Sequence, residues 1–147
     1  MKKQLFQLRS RRAGFTLIEL LVVIAIIGLL STLAVVALNN ARLKSRDAKR
    51  ISDIKQIQTA VELYYNDANA YPAAVTGLGT IATGGVTYMS NVPTNPAPVN
   101  DGTCAAGSTY TYAMGTNGTT YTLQYCLGGP TGGVSADIHT ATPSGIQ

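Results

Sequence analysis

Charge is scarce in this chain. Of 147 residues, 12% are charged, about half the share of an average soluble domain. No Lys or Arg lies after residue 70, where only Asp101 and Asp137 carry charge. Histidine occurs once, at His139, and cysteine twice, at Cys104 and Cys126, with no Cys-x-x-Cys pair. There are no clustered carboxylates and no glycine-rich loop beside a Lys-Ser or Lys-Thr pair. A catalytic triad, a phosphate cradle and dithiol redox chemistry are therefore all missing their residues, and the chain reads as a non-enzyme with no cofactor or metal assigned. The length allows one domain plus one appended element and excludes a large multidomain protein.

The formal charge of +4 is a property of the N-terminus: five of the eleven basic residues, Lys2, Lys3, Arg9, Arg11 and Arg12, lie in the first 14 positions with no acid among them. Without that segment six basic residues face seven acidic ones, a balance of 6 − 7 = −1. A nucleic-acid partner inferred from net charge loses its basis once the segment is removed.

Four zones follow from composition. Residues 1–14 are a basic leader, residues 15–38 an apolar run, residues 39–69 a polar stretch of helical periodicity, and residues 70–147 a zone holding all six prolines and 13 of the 15 glycines. The main boundary falls near Ala70–Pro72. From Phe15 to Leu38 the only charge is Glu19. As a helix that run spans roughly 36 Å, enough for a hydrocarbon core of about 30 Å. The alternative, a buried core helix, fails because so small a chain has too little else to wrap around it. The helix is expected to continue to about Ala68. Ile51, Ile54, Ile57, Val61, Tyr64 and Ala68 recur every three or four residues as an apolar stripe, while Arg46, Lys49, Arg50, Asp53 and Lys55 occupy the other faces. The basic cluster Arg42–Arg50 reads as a solvated face or as a contact for lipid head groups or acidic partners.

Strands are expected in the last zone. Tyr110, Tyr112 and Met114 alternate with polar or small residues, as do Tyr121, Leu123, Tyr125 and Leu127, and Asn117-Gly118 between them is a hairpin-turn signal. That turn also accounts for the glycosylation-like Asn117-Gly118-Thr119. A further short strand is placed at Thr87–Ser90, a loop at Val92–Asn100 and a turn at Asn100-Asp101-Gly102. His139 is assigned to a solvated polar tail. The hairpin's apolar face is expected on the Ile54/Ile57/Val61 stripe, an α+β layout of one long helix on a small antiparallel sheet.

Glu19 carries the most information. A carboxylate in a membrane helix costs about 2.5–3.5 kcal/mol. Either Glu19 is solvated at the helix end, or it pairs with a positive group in the apolar environment, since a buried charge is tolerable only when paired. The leader ends in Arg-Arg-Ala-Gly directly before the apolar run, whereas a secretory signal is cut after it. Cutting after Gly14 leaves the apolar helix on the mature chain and creates an α-amine on Phe15, a partner for Glu19.

The stretch Gly14-Phe15-Thr16-Leu17-Ile18-Glu19-Leu20-Leu21-Val22-Val23-Ile24-Ala25-Ile26-Ile27-Gly28 resembles the prepilin cleavage and methylation motif of type IV pilins, competence pilins and type II secretion pseudopilins. Arg46-Asp47-Ala48-Lys49-Arg50 through Ile54, with Tyr64-Tyr65-Asn66-Asp67 and Tyr71-Pro72, looks like the stalk of major, G-type pseudopilins and related bacterial pilins. The resemblance implies a pilin-like fold, cleavage between Gly14 and Phe15 by prepilin peptidase, N-methylation of Phe15, and a role for Glu19 in subunit registration with the Phe15 amine of a neighbour. It implies as partners further copies of the chain, related pilins, an inner-membrane assembly platform and, before assembly, membrane lipid. The location implied is the cytoplasmic membrane, crossed once, and then a filament, with the C-terminal domain outside the cytoplasm.

Two departures stand out. The proline that kinks many family helices about 22 residues into the mature chain is replaced by Val35-Val36-Ala37, which leaves Gly28 as a place for local melting. The acids that build a calcium site in the last loop of G-type pseudopilins are reduced to Asp137, with Asp101 far off in sequence, too few for a cation that prefers six to eight oxygens. In an exported domain Cys104 and Cys126 are expected to form one disulfide. The positive-inside rule does not decide orientation, because residues 42–50 carry five basic residues against one acid. Two other readings compete: a single-pass, signal-anchored binding protein that does not polymerise, and a secreted domain cut after Ala37.

Overall fold

The structure, a computed structural model, describes residues 14–105 and 108–146. The basic leader up to residue 13 therefore lies outside the described residues. The chain forms two compact units, one ending at Leu38 and one starting at Asn39.

One helix, α1 (Leu17–Ala68, 52 residues), runs through the end of the first unit and the start of the second. It lacks proline throughout and stays helical at Gly28, so the replaced proline is not compensated by a break at that glycine. Thr16 caps its start. Asn69 ends it in the left-handed region (φ 53°), donating its N–H to the Tyr65 carbonyl at 2.8 Å, the usual device for closing a last turn.

In the second unit, β1 (Ile81–Thr83) and β2 (Val86–Met89) form a small antiparallel hairpin. Its two-residue turn, Gly84-Gly85, has both φ values positive, which only glycine adopts freely. The main sheet is antiparallel, in the order β3 (Thr111–Met114), β4 (Tyr121–Leu127), β5 (Asp137–Thr142), β6 (Gly145–Ile146). The β3–β4 hairpin closes through a six-residue connection rather than a tight two-residue turn, with Asn117 and Gly118 both at positive φ. Gly118 is buried against the helix end. Its carbonyl accepts from Tyr71 N at 2.8 Å, and an added Cβ would lie 3.0 Å from Ala70 Cβ.

The core forms where one face of the main sheet meets α1. Ile54, Ile57, Ala60 and Val61 come from the helix, and Tyr121, Leu123, Tyr125, Leu127 and Ala141 from the sheet, closed by Tyr71, Ile81 and Val92. Each fully buried aliphatic side chain contributes about 1.5–3 kcal/mol. This is the α+β, pilin-like layout expected, with the apolar stripe in place.

Four expectations fail locally. Met114 is 40% exposed, not on the inner face. His139 is no tail residue: it sits in β5, paired in register with Tyr125, its ring 5.7 Å from the tyrosine ring. Strands β1, β5 and β6 were not anticipated. The fourth concerns the helix charges. Arg50, Asp47 and Asp53 are not on a solvated face but almost fully buried: Tyr110 and Lys49 donate to Asp53, and three backbone segments converge on Arg50 and Asp47, as described next.

Candidate processing and assembly site

Two places in the molecule concentrate functional chemistry, one in each unit. The first is the entry to α1. Gly14, Phe15 and Thr16 precede the helix and are exposed, with Phe15 at 78%. Among the described residues, no neighbour lies within 4 Å of where a Gly14 Cβ would stand. The Gly14–Phe15 peptide bond is thus an accessible, non-helical bond, the kind a peptidase can take.

Thr16 and Glu19 form a reciprocal cap. Glu19 N donates to Thr16 Oγ1 (3.2 Å), while Thr16 N and Thr16 Oγ1 both donate to Glu19 Oε2 (2.8 and 2.7 Å). Thr-x-x-Glu is the sequence form of such a box. Thr16 was therefore a site residue that the sequence signalled and the motif alone left without a role. Glu19 Oε1 has no partner among the described residues, and a carboxylate has lone-pair capacity for further donors.

Beyond the cap, every residue from Gly14 to Leu38 is exposed. The helix is long and apolar enough to cross a membrane, and its most apolar stretch is not buried. The polar exceptions satisfy themselves: Ser31 donates to the Ile27 carbonyl (2.7 Å) and Thr32 to that of Leu29 (2.8 Å). A surface of this kind is stable only in lipid or against equally apolar partners.

The second place is a buried ionic cluster that the sequence reading missed. Arg50 donates through Nη1 to Asp47 Oδ1 (2.6 Å), through Nη2 to Asp101 Oδ1 (2.7 Å) and the Pro98 carbonyl (3.3 Å), and through Nε to Asn95 Oδ1 (2.7 Å). Arg46 also pairs with Asp101. Asp47 further accepts from the backbone N–H groups of Gly128 (3.0 Å) and Gly129 (2.8 Å). The Gly128 approach requires glycine, because a Cβ there would stand 2.6 Å from the Asp101 carbonyl oxygen, whereas one on Gly129 would press only on the Leu43 side chain, at 3.1 Å. Burial works against the Arg50 charge, but its hydrogen bonds to Asp101 and Asp47 and their negative charge outweigh that and hold its pKa above the ordinary arginine value. The cluster binds the 95–101 and 128–129 loops to the helix.

Near it, Cys104 and Cys126 are disulfide-bonded (Cα–Cα 5.8 Å). Asp101, the turn residue of the sequence reading, is a counter-ion for two arginines rather than part of an acidic ligand set. Among the described residues no group of three or more His, Cys, Asp or Glu is placed to hold a metal ion.

Comparison with known proteins follows the first site. Residues 9–35 match the family model described as the prokaryotic N-terminal methylation motif. The fimbrial protein EcpC of Eikenella corrodens is 32% identical over 117 residues, 80% of this chain and 76% of that protein. The type II secretion system core protein G of Aeromonas hydrophila is 38% identical over 73 residues, 50% of this chain and 51% of that protein. Its counterpart in Vibrio cholerae is 33% identical over 90 residues, 61% and 56% respectively. The chain thus spans about half the length of the core protein G relatives it matches. No solved structure matches it.

Proposed function

From the premise that this chain belongs to the type IV pilin and type II secretion pseudopilin family, we propose that it is the structural subunit of a pilus or secretion pseudopilus. Prepilin peptidase cuts the precursor between Gly14 and Phe15 and the new N-terminus is methylated. Residues 15–38 hold the subunit in the cytoplasmic membrane as a single span, with the disulfide-bonded unit outside the cytoplasm. At an inner-membrane assembly platform the same residues leave lipid for the company of other copies and related subunits.

The observation that carries this reading is the fully exposed apolar run with a single acid near its start. An apolar helix exchanges lipid for other apolar helices at little cost, because both surroundings are equally dry. Glu19 then registers the subunit. Its free Oε1 accepts the Phe15 amine of a neighbour while Oε2 keeps the Thr16 cap, so the charge is paired as a dry environment demands.

The intact mass of the chain from sheared filaments or native membranes tests the proposal. A chain starting at Phe15 with one added methyl is the expected result. A chain starting at Leu38 instead describes a secreted domain and overturns it. The cap favours one other reading, because Glu19 Oε2 already accepts two hydrogen bonds within its own chain: a single-pass binding protein that never polymerises. Under that reading Glu19→Ala leaves surface display and activity intact; under the filament reading it abolishes assembly. Immunogold labelling then separates the two filament kinds, since a pilus stains beyond the cell surface and a pseudopilus within the periplasm.

A further inference from the structure

β3 lies at one edge of the main sheet, bonded only to β4. The bond from Gly115 N to the Thr120 carbonyl, with the register Met114↔Tyr121 and Tyr112↔Leu123, fixes the phase of the ladder. In an antiparallel pair, bonded and non-bonded residue pairs alternate. Ala113 and Thr111 therefore exchange bonds with β4, and the N–H and C=O groups of Tyr112 and Met114 point away from the sheet. Among the described residues none takes a backbone bond from them. At the start of this edge Asn95 Nδ2 donates to the Ser108 carbonyl, which limits the open stretch to the residues beyond it.

The open edge borders a cavity of about 570 Å³, within the size range of ligand sites. Ile57, Val92, Val99, Leu123, Tyr110 and Tyr112 supply its apolar walls, and none of the described residues lining it is charged. Tyr110 and Tyr112 are held in place from behind, donating to Asp53 Oδ2 (3.1 Å) and the Pro72 carbonyl (2.9 Å). Two requirements thus meet at one place. Unpaired ladder groups call for an extended main chain, and a neutral apolar cavity beside them calls for uncharged side chains.

We propose that the outer edge of β3 is a strand-addition site for an extended, uncharged peptide segment of another protein, whose main chain pairs with Tyr112 and Met114 and whose apolar side chain enters the cavity. Main-chain pairing supplies affinity and the cavity supplies selection, the division of labour of peptide recognition by sheet edges. A charged side chain is excluded, because the cavity holds no counter-ion for it. The site lies wholly in the second unit and does not depend on how the first unit is processed.

The test uses the full oxidised chain, isotope-labelled, in phospholipid nanodiscs. The probe is the neutral peptide Val-Thr-Val-Thr-Val with blocked ends; Val-Lys-Val-Lys-Val is the control. The expected result is that the neutral peptide slows amide exchange at Tyr112 and Met114 by about tenfold or more, leaves Thr111 and Ala113 unchanged, and that the lysine peptide does neither. Met114→Pro removes an outward N–H at an edge position where proline is tolerated, and weakens the neutral peptide about tenfold. Thr94→Lys, on the exposed rim of the cavity, places a charge there and weakens it likewise, which keeps the test valid if the proline variant fails to fold. Absence of slowing in folded protein overturns the proposal. So does slowing that rises with protein concentration and needs no peptide, which makes the occupant a second copy. Peptide binding indifferent to Met114→Pro in folded protein also overturns it, because the cavity then acts without the ladder.

Discussion

Between Leu17 and Leu38, α1 is almost wholly apolar and fully exposed; between Asn39 and Ala68 it is polar and charged, and there it buries Asp47, Arg50 and Asp53. The inside–outside rule fails at both places on a single helix, although the second half also buries Ile54, Ile57, Ala60 and Val61. The failure shows that side-chain polarity alone does not decide burial; the available partners do. The apolar half has none among the described residues of its own unit and must find them in lipid or in other subunits. The charged half meets two loops that offer carboxylate, carbonyl and amide groups in the right places. Burial of those charges is stable because each is met by several hydrogen bonds.

The contrast can be broken most sharply at Arg50. Arg50→Met leaves Asp47 and Asp101 buried without their main counter-charge, and is expected to cost about 3–5 kcal/mol, read as a fall in the near-ultraviolet dichroism midpoint of the full oxidised chain in detergent. A comparable loss of the Arg46 partner alone is expected to be milder, because Arg46 is partly exposed.

Next in size is a matched pair on the two halves. Ile57→Ala, in the core, is expected to cost about 2–5 kcal/mol. Ile24→Ala, at 61% exposure, is expected to leave the same midpoint within about 0.5 kcal/mol. Equal losses would mean that the first half packs within its own chain. Replacing both cysteines by serine opens a link between residues 22 apart and is expected to cost about 3 kcal/mol, confined to the second unit, with amide exchange in residues 17–38 unaltered.

The smallest effect is a pH dependence. Burial, and then the hydrogen bond to Glu62, raises the pKa of Tyr71. Burial, and then the negative charge of Asp53, does the same for Tyr110, and burial leads for Tyr112. These phenols stay protonated in the folded chain to a higher pH than in the unfolded chain, where they ionise near pH 10. The stability they lend is complete below that value and is lost as pH rises above it. A pH-independent midpoint between about 7 and 9, followed by a decline above about 10, is the expected profile. The first half of α1 contains no tyrosine, so its helical signal should not follow that decline.

What was legible in the sequence was local. The span of α1 follows from the absence of proline and a stripe repeating every three or four residues, and both ends carry recognisable residues, Thr16 with Glu19 and Asn69. The β3–β4 hairpin showed itself through alternation of Tyr and Leu with small or polar residues around Asn117-Gly118. β5 did not, because it buries only Ala141 fully and leaves Ile138 64% exposed, so its pattern resembles a loop. The β1–β2 hairpin carried a signal, Gly84-Gly85, that went unused. Nothing in the neighbourhood of Arg50 announces burial. Asp47 stands three residues away, as in many solvated helices, and the deciding partners, Asp101 and the Gly128–Gly129 amides that hold Asp47, come from far along the chain. Long-range satisfaction of a charge leaves no periodic trace.

The Gly84-Gly85 turn has a practical consequence. Among the described residues, nothing stands within 4 Å of where a side chain on either glycine would begin, and the turn joins the two strands of a hairpin that contributes Ile81 to the core. Few points in the second unit offer so open a chain reversal, whereas Gly128 has no room even for a methyl group. A short epitope or a fluorophore-accepting peptide spliced between Gly84 and Gly85 should therefore report on where the subunit travels without disturbing how it folds.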